Sequence, residues 1–423
     1  MKTLPLKAMV DPRRPLTYGI VQAGDDVPNG VPYIRPVDMD GHKGVSVESL
    51  QRTDPAIAAS YKRSALKSGD LVVSIGPSYG KTMVVPPELI GANLTQGTAR
   101  VAVADEFSST FVRWALQSAE VTAFWDAASG GSTFRALNLG PLGQTPIPVH
   151  SPEKQSAIAD FLDRETARTD AFISKNEELV ALLNERRAAV IARAILRGVD
   201  DKAQLRDSGI AWIGRIPEHW QVSKLSRWFG VTLGKMLDEA KFANTFGDVL
   251  PYVRASNIKS ERLDLADVKS MPFTRSEQSK FSLRAGDLLV VEGGSIGVNA
   301  PVDTDMPGWG FQKTVNRVRS LRGDLTRYLG FQLDVLRAAG VLDMSTNVST
   351  IQHLTAEKLE RLIIAMPPRE EQAQIVRHVA LSIDQIDRAI STTGDAIRLA
   401  RERRAAMISA AVTGKIDVGV VVA

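Results

Sequence analysis

Two serines lie in the pattern Gly-x-Ser-x-Gly, Ser78 within residues 76–80 and Ser295 within residues 293–297. In serine hydrolases this pattern forms a sharp turn between a strand and a helix, and the turn exposes the serine as a nucleophile. A strand-like run precedes the first pattern, but residues 81–87 read as an extended segment that ends in two prolines. We therefore interpret both patterns as glycine turns between strands. A serine hydrolase remains a third hypothesis, which labelling of Ser78 or Ser295 by a phosphonate probe would support.

Histidine is the other side chain from which a chain without cysteine would build a metal site or a general base. The five histidines show no metal-ligand spacing and do not recur between related segments: His42, His150, His219, His353 and His378. The sequence also contains no Gly-x-x-x-x-Gly-Lys-Ser/Thr phosphate loop and no strand-linked Gly-x-Gly-x-x-Gly. We therefore expect no catalytic residue, no metal and no cofactor in this chain.

The composition is that of an ordinary globular protein, with 44% hydrophobic and 24% charged residues. No apolar run approaches the roughly 20 residues of a membrane span, and the first residues lack the apolar core of a signal peptide. The chain has no cysteine, and we expect it in the cytoplasm. A net charge of +4 is too small to indicate nucleic acid by itself, so any DNA-binding surface must gather its basic residues in space.

The segments that would position functional residues occur as two copies in the chain. Residues 66–195 recur as residues 283–412 at a constant offset of 217. The matched pairs include residues 66–71 with 283–288, 76–80 with 293–297, Arg100 with Arg317, Gln155 with Gln372, and residues 185–189 with 402–406. Upstream the offset becomes 219, where residues 32–35 parallel residues 251–254. A period this long predicts a duplicated domain rather than a solenoid, whose repeats are roughly 20 to 50 residues long.

Each copy begins with a segment of mixed character, residues 17–150 in the first copy and 228–366 in the second. Short apolar runs bounded by glycine and proline predict strands, and longer amphipathic runs predict helices. Strands are expected at residues 70–75 and 287–291, and helices at residues 111–125 and 325–339. The mixture predicts a compact α+β domain in each copy.

Each copy ends in a long amphipathic helix, which opens with proline and glutamate at residues 152–153 and 367–371. Side chains at three-, four- and seven-residue steps form the stripe of a coiled coil. The stripe consists of Ile173, Asn176, Val180 and Leu183 in the first helix, and Ile383, Ile386, Ile390, Ile397 and Met407 in the second. We expect the two helices to pair with each other. The alternative is that each helix folds onto its own globular domain.

Four polar residues interrupt the stripe, Asn176 and Arg187 in the first helix and Thr393 and Arg404 in the second. Polar side chains at such positions either extend to water or fix the register of the paired helices. The sequence leaves both interpretations open.

Several segments resemble one known family. Residues 207–220, followed by Lys224 and Leu225, look like the start of a target recognition domain in the specificity subunit of type I restriction-modification enzymes. Residues 283–287 and 366–372 are similar to the same family, as is the two-copy layout. The resemblance covers nearly the whole chain. It implies a non-catalytic, DNA-binding subunit of a complex that methylates host DNA and defends against phage.

The resemblance also implies an architecture. It is an α+β fold in which two repeated target recognition domains, each reading one half of a bipartite DNA site, are separated by two long helices. The helices would pair as an antiparallel coiled coil and act as a ruler between the half-sites. The implied ranges are residues 1–150 for the first recognition domain, 151–200 for the first helix, 201–366 for a linker and the second recognition domain, 367–415 for the second helix, and 416–423 for a tail.

The implied partners are double-stranded DNA, two methyltransferase subunits and, where the system includes them, restriction subunits with a motor. S-adenosylmethionine, ATP and magnesium would be bound by those partners and not by this chain. The alternative function, from another class, is a non-enzymatic scaffold whose two domains bind protein and whose helices mediate assembly. Protection of a bipartite DNA site by this chain together with a methyltransferase would distinguish the two.

Candidate DNA contacts follow from side-chain type. Arginine, lysine, asparagine and glutamine read base edges, whereas phosphates need only positive charge or amide donors. We select polar residues beside predicted turns: Arg35, Tyr79 and Lys81 in the first domain, and Lys235, Arg254, Asn257, Asn299 and Lys313 in the second. Arg35 and Arg254 recur between the copies, so we expect them to hold phosphate or structure, while residues that specify bases should not recur. For every candidate the alternative is a solvated or locally bonded surface residue.

The first copy departs from the family pattern at its start. The Ile-Pro-x-x-Trp segment that ends at Trp220 has no counterpart, because the offset of 217 places Trp220 opposite Thr3. The sequence therefore does not predict how the edge of the first domain packs.

Overall fold

A computed structural model describes residues 2–39, 45–76, 79–129, 136–236, 247–344 and 353–419. The chain divides into two compact units. Unit 1 consists of Met1–Glu178 together with Thr393–Ala423, and unit 2 consists of Leu179–Thr392. Both units mix strands and helices, which confirms the α+β fold expected from the sequence.

The core of unit 1 is a small stack of sheets. Its strands are β1 (Thr3–Pro5), β2 (Thr17–Tyr18), β3 (Val31–Ile34), β4 (Arg52–Thr53), β5 (Leu71–Ser74), β6 (Thr82–Val84), β7 (Asn93–Leu94), β8 (Thr98–Val101) and β9 (Pro146–Pro148). They form a four-stranded sheet in the order β2-β8-β5-β6, a three-stranded sheet in the order β4-β3-β7, and the pair β1-β9. β5 is buried on both faces: Leu71 and Val73 pack in a cluster with the helices, while Val72 packs with the smaller sheet.

The helices of unit 1 include one break that the sequence pattern does not predict. They are α1 (Pro55–Ser60), α2 (Ser109–Leu116), α3 (Ala119–Ala128), α4 (Leu139–Gln144) and α5 (Pro152–Arg197), of which α5 extends into unit 2. A single helix was expected over residues 111–125, and this is wrong. The hydroxyl oxygen of Ser118 accepts a hydrogen bond from the Val121 amide at 3.4 Å, so Ser118 caps a second helix.

Unit 2 repeats this architecture. Its strands are β10 (Leu205–Asp207), β11 (Arg215–Pro217), β12 (Gln221–Lys224), β13 (Phe229–Leu233), β14 (Asp248–Val253), β15 (Ile258–Lys259), β16 (Arg262–Leu263), β17 (Lys269–Phe273), β18 (Leu288–Val291), β19 (Asn299–Pro301), β20 (Gly310–Phe311), β21 (Val315–Ser320) and β22 (Ile363–Met366). Its helices are α6 (Arg275–Lys280), α7 (Thr326–Ala338), α8 (Val341–Met344), α9 (Ala356–Arg361) and α10 (Arg369–Val412), the last extending into unit 1. The sheet orders β13-β21-β18-β19, β17-β14-β20 and β12-β22 match those of unit 1 strand for strand. The duplication seen in the sequence is therefore a duplication of fold.

The two copies also share a buried arginine in the central sheet. Arg100 of β8 donates to the carbonyl oxygens of Arg63 and Pro15. Arg317 of β21 donates to the carbonyl oxygens of Lys280 and Ser282. Burial lowers the pKa of both guanidinium groups. Because each guanidinium satisfies backbone carbonyls inside the unit, the repeated arginine is structural.

A buried glutamine explains the repeated start of the long helices. The Gln155 side chain accepts from the Ser108 amide at 3.0 Å and donates to the His150 carbonyl at 2.9 Å. Gln372 makes the same bonds, accepting from the Leu325 amide at 2.9 Å and donating to the Pro367 carbonyl at 3.0 Å. In each unit the glutamine therefore fastens a long helix to the loop that precedes a domain helix.

The long helices contain 46 residues in α5 and 44 in α10. Every residue of the predicted stripe lies on the less exposed side of its helix. Ile173, Ile383, Ile386 and Ile397 are buried, and Asn176, Val180, Leu183, Ile390 and Met407 are half-buried. The stripe therefore marks the packed side of each helix, as the heptad pattern predicts.

Ion pairs join the two helices within each unit. In unit 1, Asp170 pairs with Arg404 and Glu177 pairs with Arg401 at 2.9 and 2.6 Å. Since positions advance along α5 as they go back along α10, the helices are antiparallel here, as expected. Arg187 and Arg404 are two of the polar residues that interrupt the stripe, and both make cross-helix pairs. Asn176 instead donates to the Phe172 carbonyl of its own helix at 2.8 Å.

The edge of unit 1 is packed despite the missing Trp220 counterpart. β1 pairs with β9, and Thr3 lies opposite Pro148. This ladder corresponds to that of β12 with β22 in unit 2. Leu6 and Ile147 are fully buried beside it. The short first copy therefore keeps the strand pair although it lacks the tryptophan.

The second Gly-x-Ser-x-Gly pattern is a turn. Gly293 and Gly297 flank the connection between β18 and β19, which form an antiparallel hairpin. Gly297 has a φ of 75°, a left-handed conformation that favours glycine. The interpretation as a turn between strands is thus confirmed for Ser295, while Ser78 lies outside the described residues.

Candidate nucleic-acid interface

Unit 1 carries an open cleft of about 1160 Å³ where the loops after β3 and β5 meet. Its lining includes Arg35 after β3, Gly76 after β5, Gln96 before β8 and Asn138 before α4. Gly97 forms part of the wall, and a Cβ there would lie 2.8 Å from Pro36. The backbone of Gly97 and the ring of Pro36 lie so close together in this wall that the position requires glycine.

Arg35 is fixed inside its own loop. Its Nη2 donates to Asp38 at 2.7 Å and its Nη1 donates to Gln51 at 2.7 Å. The hydrogen bond to Asp38 raises the pKa of the Arg35 guanidinium, against a smaller opposing effect of burial. Arg35 lines the cleft, but its donors are already used to shape the loop. This agrees with the structural role expected for a residue that recurs.

Lys81 and Tyr79 are also bonded locally. The Lys81 ammonium donates to the Pro36 and Met39 carbonyls at 3.0 and 2.6 Å, and so ties the cleft loop to β6. The Tyr79 hydroxyl donates to Asp126 at 2.5 Å. All three candidate DNA contacts in unit 1 are therefore locally bonded residues, which was the alternative stated for each of them.

Two amides of the same cleft were missed by sequence reasoning. Gln96 and Asn138 are both exposed and both line the cleft. Asn138 precedes α4, yet its side chain makes no capping hydrogen bond. Side-chain amides that are accessible and uncommitted are suited to reading base edges.

In unit 2 two of the three basic candidates, Lys235 and Arg254, are again engaged. Lys235 donates to the Pro272 carbonyl at 2.7 Å and pairs with Glu277 at 2.6 Å. Arg254 forms an ion pair with Asp267. The recurring arginine is thus braced by an acidic residue in both units.

Asn257 and Asn299 do not belong to an interface. Both are 3% exposed. Asn257 donates to two backbone carbonyls, and Asn299 donates to the Gly330 carbonyl and to Asp334, each at 3.2 Å. Their amides satisfy buried groups of unit 2, so we correct their assignment as DNA contacts.

Lys313 is the exposed candidate in unit 2. It corresponds to Gln96 through the offset of 217, and the same offset relates Ile75 to Glu292 and Ala136 to His353. All three positions of unit 1 line its cleft. At these positions the two copies share the backbone but differ in the chemistry of the side chain. The sequence contains this difference, but its importance can be recognised only when the cleft is known.

Other kinds of site are not found in the described residues. They contain no group of three or more side chains placed to hold a metal ion. Among the helices of the same residues, none is long and apolar enough to cross a membrane.

Comparison with known proteins gives consistent matches. A family model described as "Type I restriction modification DNA specificity domain" matches residues 217–394. The chain is 27% identical over 190 residues to the EcoBI type I restriction enzyme specificity subunit of Escherichia coli, covering 45% of this chain and 40% of that protein. It is 22% identical to the EcoKI specificity subunit of the same species, covering 59% and 53%. The chain thus spans about half the length of these relatives.

Solved structures share the fold. A chain from a structure on complex assembly and conformational transition of the type I R-M system superposes with a TM-score of 0.70 at 17% identity, covering 98% of both chains. The HsdS subunit of Thermoanaerobacter tengcongensis gives a TM-score of 0.54 at 16% identity, covering 98% of this chain and 97% of that one. At such identities the likeness concerns the fold alone.

The duplicated α+β units and the paired long helices define a class of proteins built from two copies of one fold. Within that class the matches agree with the resemblance found in the sequence: residues 217–394 match the type I restriction modification DNA specificity domain, and the chain is similar to type I restriction enzyme specificity subunits.

Proposed function

We propose that this chain reads a bipartite DNA site, one half with each unit, and brings methyltransferase subunits, and restriction subunits where present, to that site. The observation that carries the proposal is the contrast between the two copies. They share sheet order and a braced arginine, Arg35 or Arg254, but differ at Gln96 and Lys313 in corresponding positions. A common framework with different polar side chains is what two readers of different sequences need.

The proposal follows the chemistry of DNA recognition. Contacts to phosphates position a protein without carrying sequence information, and contacts to base edges specify the sequence. Gln96 and Asn138 offer paired donor and acceptor groups, which suit adenine edges, and Lys313 offers donors, which suit guanine. The two units would therefore prefer different half-sites.

We further propose that the chain performs no reaction itself. Methyl transfer would require S-adenosylmethionine on the methyltransferase partners, and cleavage would require ATP and magnesium on the restriction partners. Ser295, the side chain that most resembles a nucleophile by motif, sits in a β-hairpin turn and not in a strand-to-helix elbow. The assembled complex would act in the cytoplasm, and its paired helices would set the spacer between half-sites.

Methylation mapping tests the proposal. The genome of a host is sequenced by a single-molecule method that detects modified bases, with and without this chain, in the presence of its methyltransferase partner. We expect a bipartite motif that depends on the chain. If methylation does not depend on the chain, or if the motif is continuous, the proposal is wrong and the scaffold alternative gains.

A domain exchange assigns the half-sites. Residues 228–366 are replaced by the corresponding segment of another family member, and the methylation motif is mapped again. We expect one half of the motif to change and the other half to be retained. A change in both halves would contradict independent reading by the two units.

A further inference from the structure

Glu292 and Ile75 occupy one position of the shared fold. The Ile75 amide donates to the Gly97 carbonyl at 2.8 Å, and the Ile75 carbonyl accepts from the Leu137 amide at 2.9 Å. The Glu292 amide donates to the Thr314 carbonyl at 3.0 Å, and the Glu292 carbonyl accepts from Leu354 at 2.7 Å. These partners are related by the same offset of 217. A carboxylate thus replaces an apolar side chain at a position that lines the cleft in unit 1.

The Glu292 carboxylate is poorly compensated within unit 2. Glu292 is half-buried, and the described residues supply neither an ion pair nor a side-chain hydrogen bond to its carboxylate. Burial raises the pKa of this carboxyl, and the nearby His353 and Lys313 lower it in part. Asp287, a buried acid of the same unit, is by contrast paired and binds Arg319 at 2.6 Å. A half-buried, unpaired carboxylate costs stability, so folding alone does not account for it.

The charge pattern around Glu292 restricts what would bind there. A DNA phosphate would be attracted to Lys313 and repelled by Glu292, so the carboxylate is unsuited to a backbone contact. A carboxylate accepts hydrogen bonds but does not donate them. In the major groove the donors are the exocyclic amino groups, N4 of cytosine and N6 of adenine.

We infer that Glu292 is a specificity-determining residue of unit 2, which accepts a hydrogen bond from the exocyclic amino group of a cytosine or an adenine while Lys313 holds the adjoining DNA. The inference rests on the proposed function and adds to it the base chemistry read at one position. At the corresponding position of unit 1, the buried Ile75 offers no acceptor, so the two half-sites would differ there.

The test uses the whole chain assembled with its methyltransferase partner. The motif is mapped for wild type, Glu292→Gln and Glu292→Ile, the last introducing the side chain of unit 1. We expect Glu292→Ile to reduce discrimination at one base pair of the half-site assigned to unit 2 by roughly tenfold or more, and Glu292→Gln, which keeps one acceptor oxygen, to reduce it less. The base pair at which discrimination is lost identifies the amino group as cytosine or adenine. The other half-site and the other positions should be retained.

The matched control is Glu357→Gln, an exposed acid in the first turn of α9, and it should leave the motif unchanged. Thermal melting and assembly with the methyltransferase report folding of each variant. An unchanged motif in both Glu292 variants, or a uniform loss of methylation by folded variants, would overturn the inference. Absence of any bipartite motif in wild type would instead overturn the proposed function, and the inference with it.

Discussion

Arg404 of α10 forms an ion pair with Asp170 of α5 at 2.9 Å, and the same pair recurs in unit 2 between Arg187 and Asp387 at 3.2 Å. Asp387 lies 217 positions after Asp170, and Arg404 lies 217 positions after Arg187. Each long helix therefore supplies one arginine and one aspartate, and each arginine pairs with the aspartate of the other helix. Two of the four polar residues that interrupt the stripe, Arg187 and Arg404, thus each make one ion pair between the helices, one in each unit.

Removing the better buried pair should destabilise the chain. The Arg404 side chain is 11% exposed and its guanidinium lies 5.7 Å from the Trp114 ring centre. We expect Arg404→Gln to lower the free energy of unfolding by about 1–3 kcal/mol, because Asp170 loses its partner. Urea denaturation measures the change. The neighbouring, exposed Arg403 gives the control: Arg403→Gln should stay within about 0.5 kcal/mol. Equal effects of the two variants would contradict a specific role for the pair.

Asp334 should make stability depend on pH. Burial raises the pKa of Asp334 to about 6 from its ordinary value of 3.8. The folded state thus binds a proton that the unfolded state has released, so stability is greatest below about pH 4 and falls as the pH rises to about 6. The loss is at most about 3 kcal/mol.

Asp334→Asn tests this dependence. We expect the variant to be more stable than wild type at pH 7, and the difference to vanish near pH 4. Denaturation at a series of pH values measures it. Asp303→Asn, which removes a 73%-exposed acid, should show no such convergence. A difference between Asp334→Asn and wild type that is constant with pH would show that Asp334 titrates normally.

Asn299 and Lys313 should have opposite phenotypes. Asn299→Ala removes two hydrogen bonds, one to the Gly330 carbonyl and one to Asp334, and should lower stability by about 1–3 kcal/mol. The motif read by the folded complex should not change. Lys313→Ala should leave stability nearly unchanged, weaken DNA binding, and reduce the slope of log affinity against log salt by about one. Binding measured by fluorescence anisotropy at several salt concentrations would separate them, and a steeper salt slope for Lys313→Ala is the contrary result.

Ser295 should be dispensable. It lies in the turn between β18 and β19, where no helix follows it. We expect Ser295→Ala to support the same methylation pattern as wild type when assembled with the methyltransferase, and a phosphonate probe to leave the wild-type protein unlabelled. Stoichiometric labelling that Ser295→Ala abolishes would revive the hydrolase hypothesis.

Local patterns predict elements well where the element depends on its own residues. The run that becomes β5 and the heptad stripe of the long helices are visible in the sequence because their apolar spacing repeats over the whole element. The break between α2 and α3 is not visible in that way. It depends on Ser118, which caps the second helix. The chain contains many serine hydroxyls, and only the backbone conformation around Ser118 distinguishes it as a cap.

The candidate interface is less predictable because side-chain type does not disclose burial. Asn257 and Lys313 are both polar and both lie near turns, yet Asn257 satisfies buried carbonyls and Lys313 is exposed. Long-range partners decide the outcome, as Asp267 does for Arg254. The reasoning that residues reading different bases should not recur stays a prediction, and it becomes useful once Ile75 and the turn beside it are placed in a cleft.

The duplicated ion pair has a consequence for how the two halves of such a protein change during evolution. Asp170, Asp387, Arg187 and Arg404 form two matched contacts, so a charge reversal at any one of them needs a second change in the other helix. A substitution at a cleft position of one unit needs no matching change at the corresponding position of the other unit. Recombination that exchanges one globular domain, such as residues 228–366, while keeping the helices would therefore change the proposed DNA specificity in a single event. An exchange within the helices would instead mismatch the ion pairs between them.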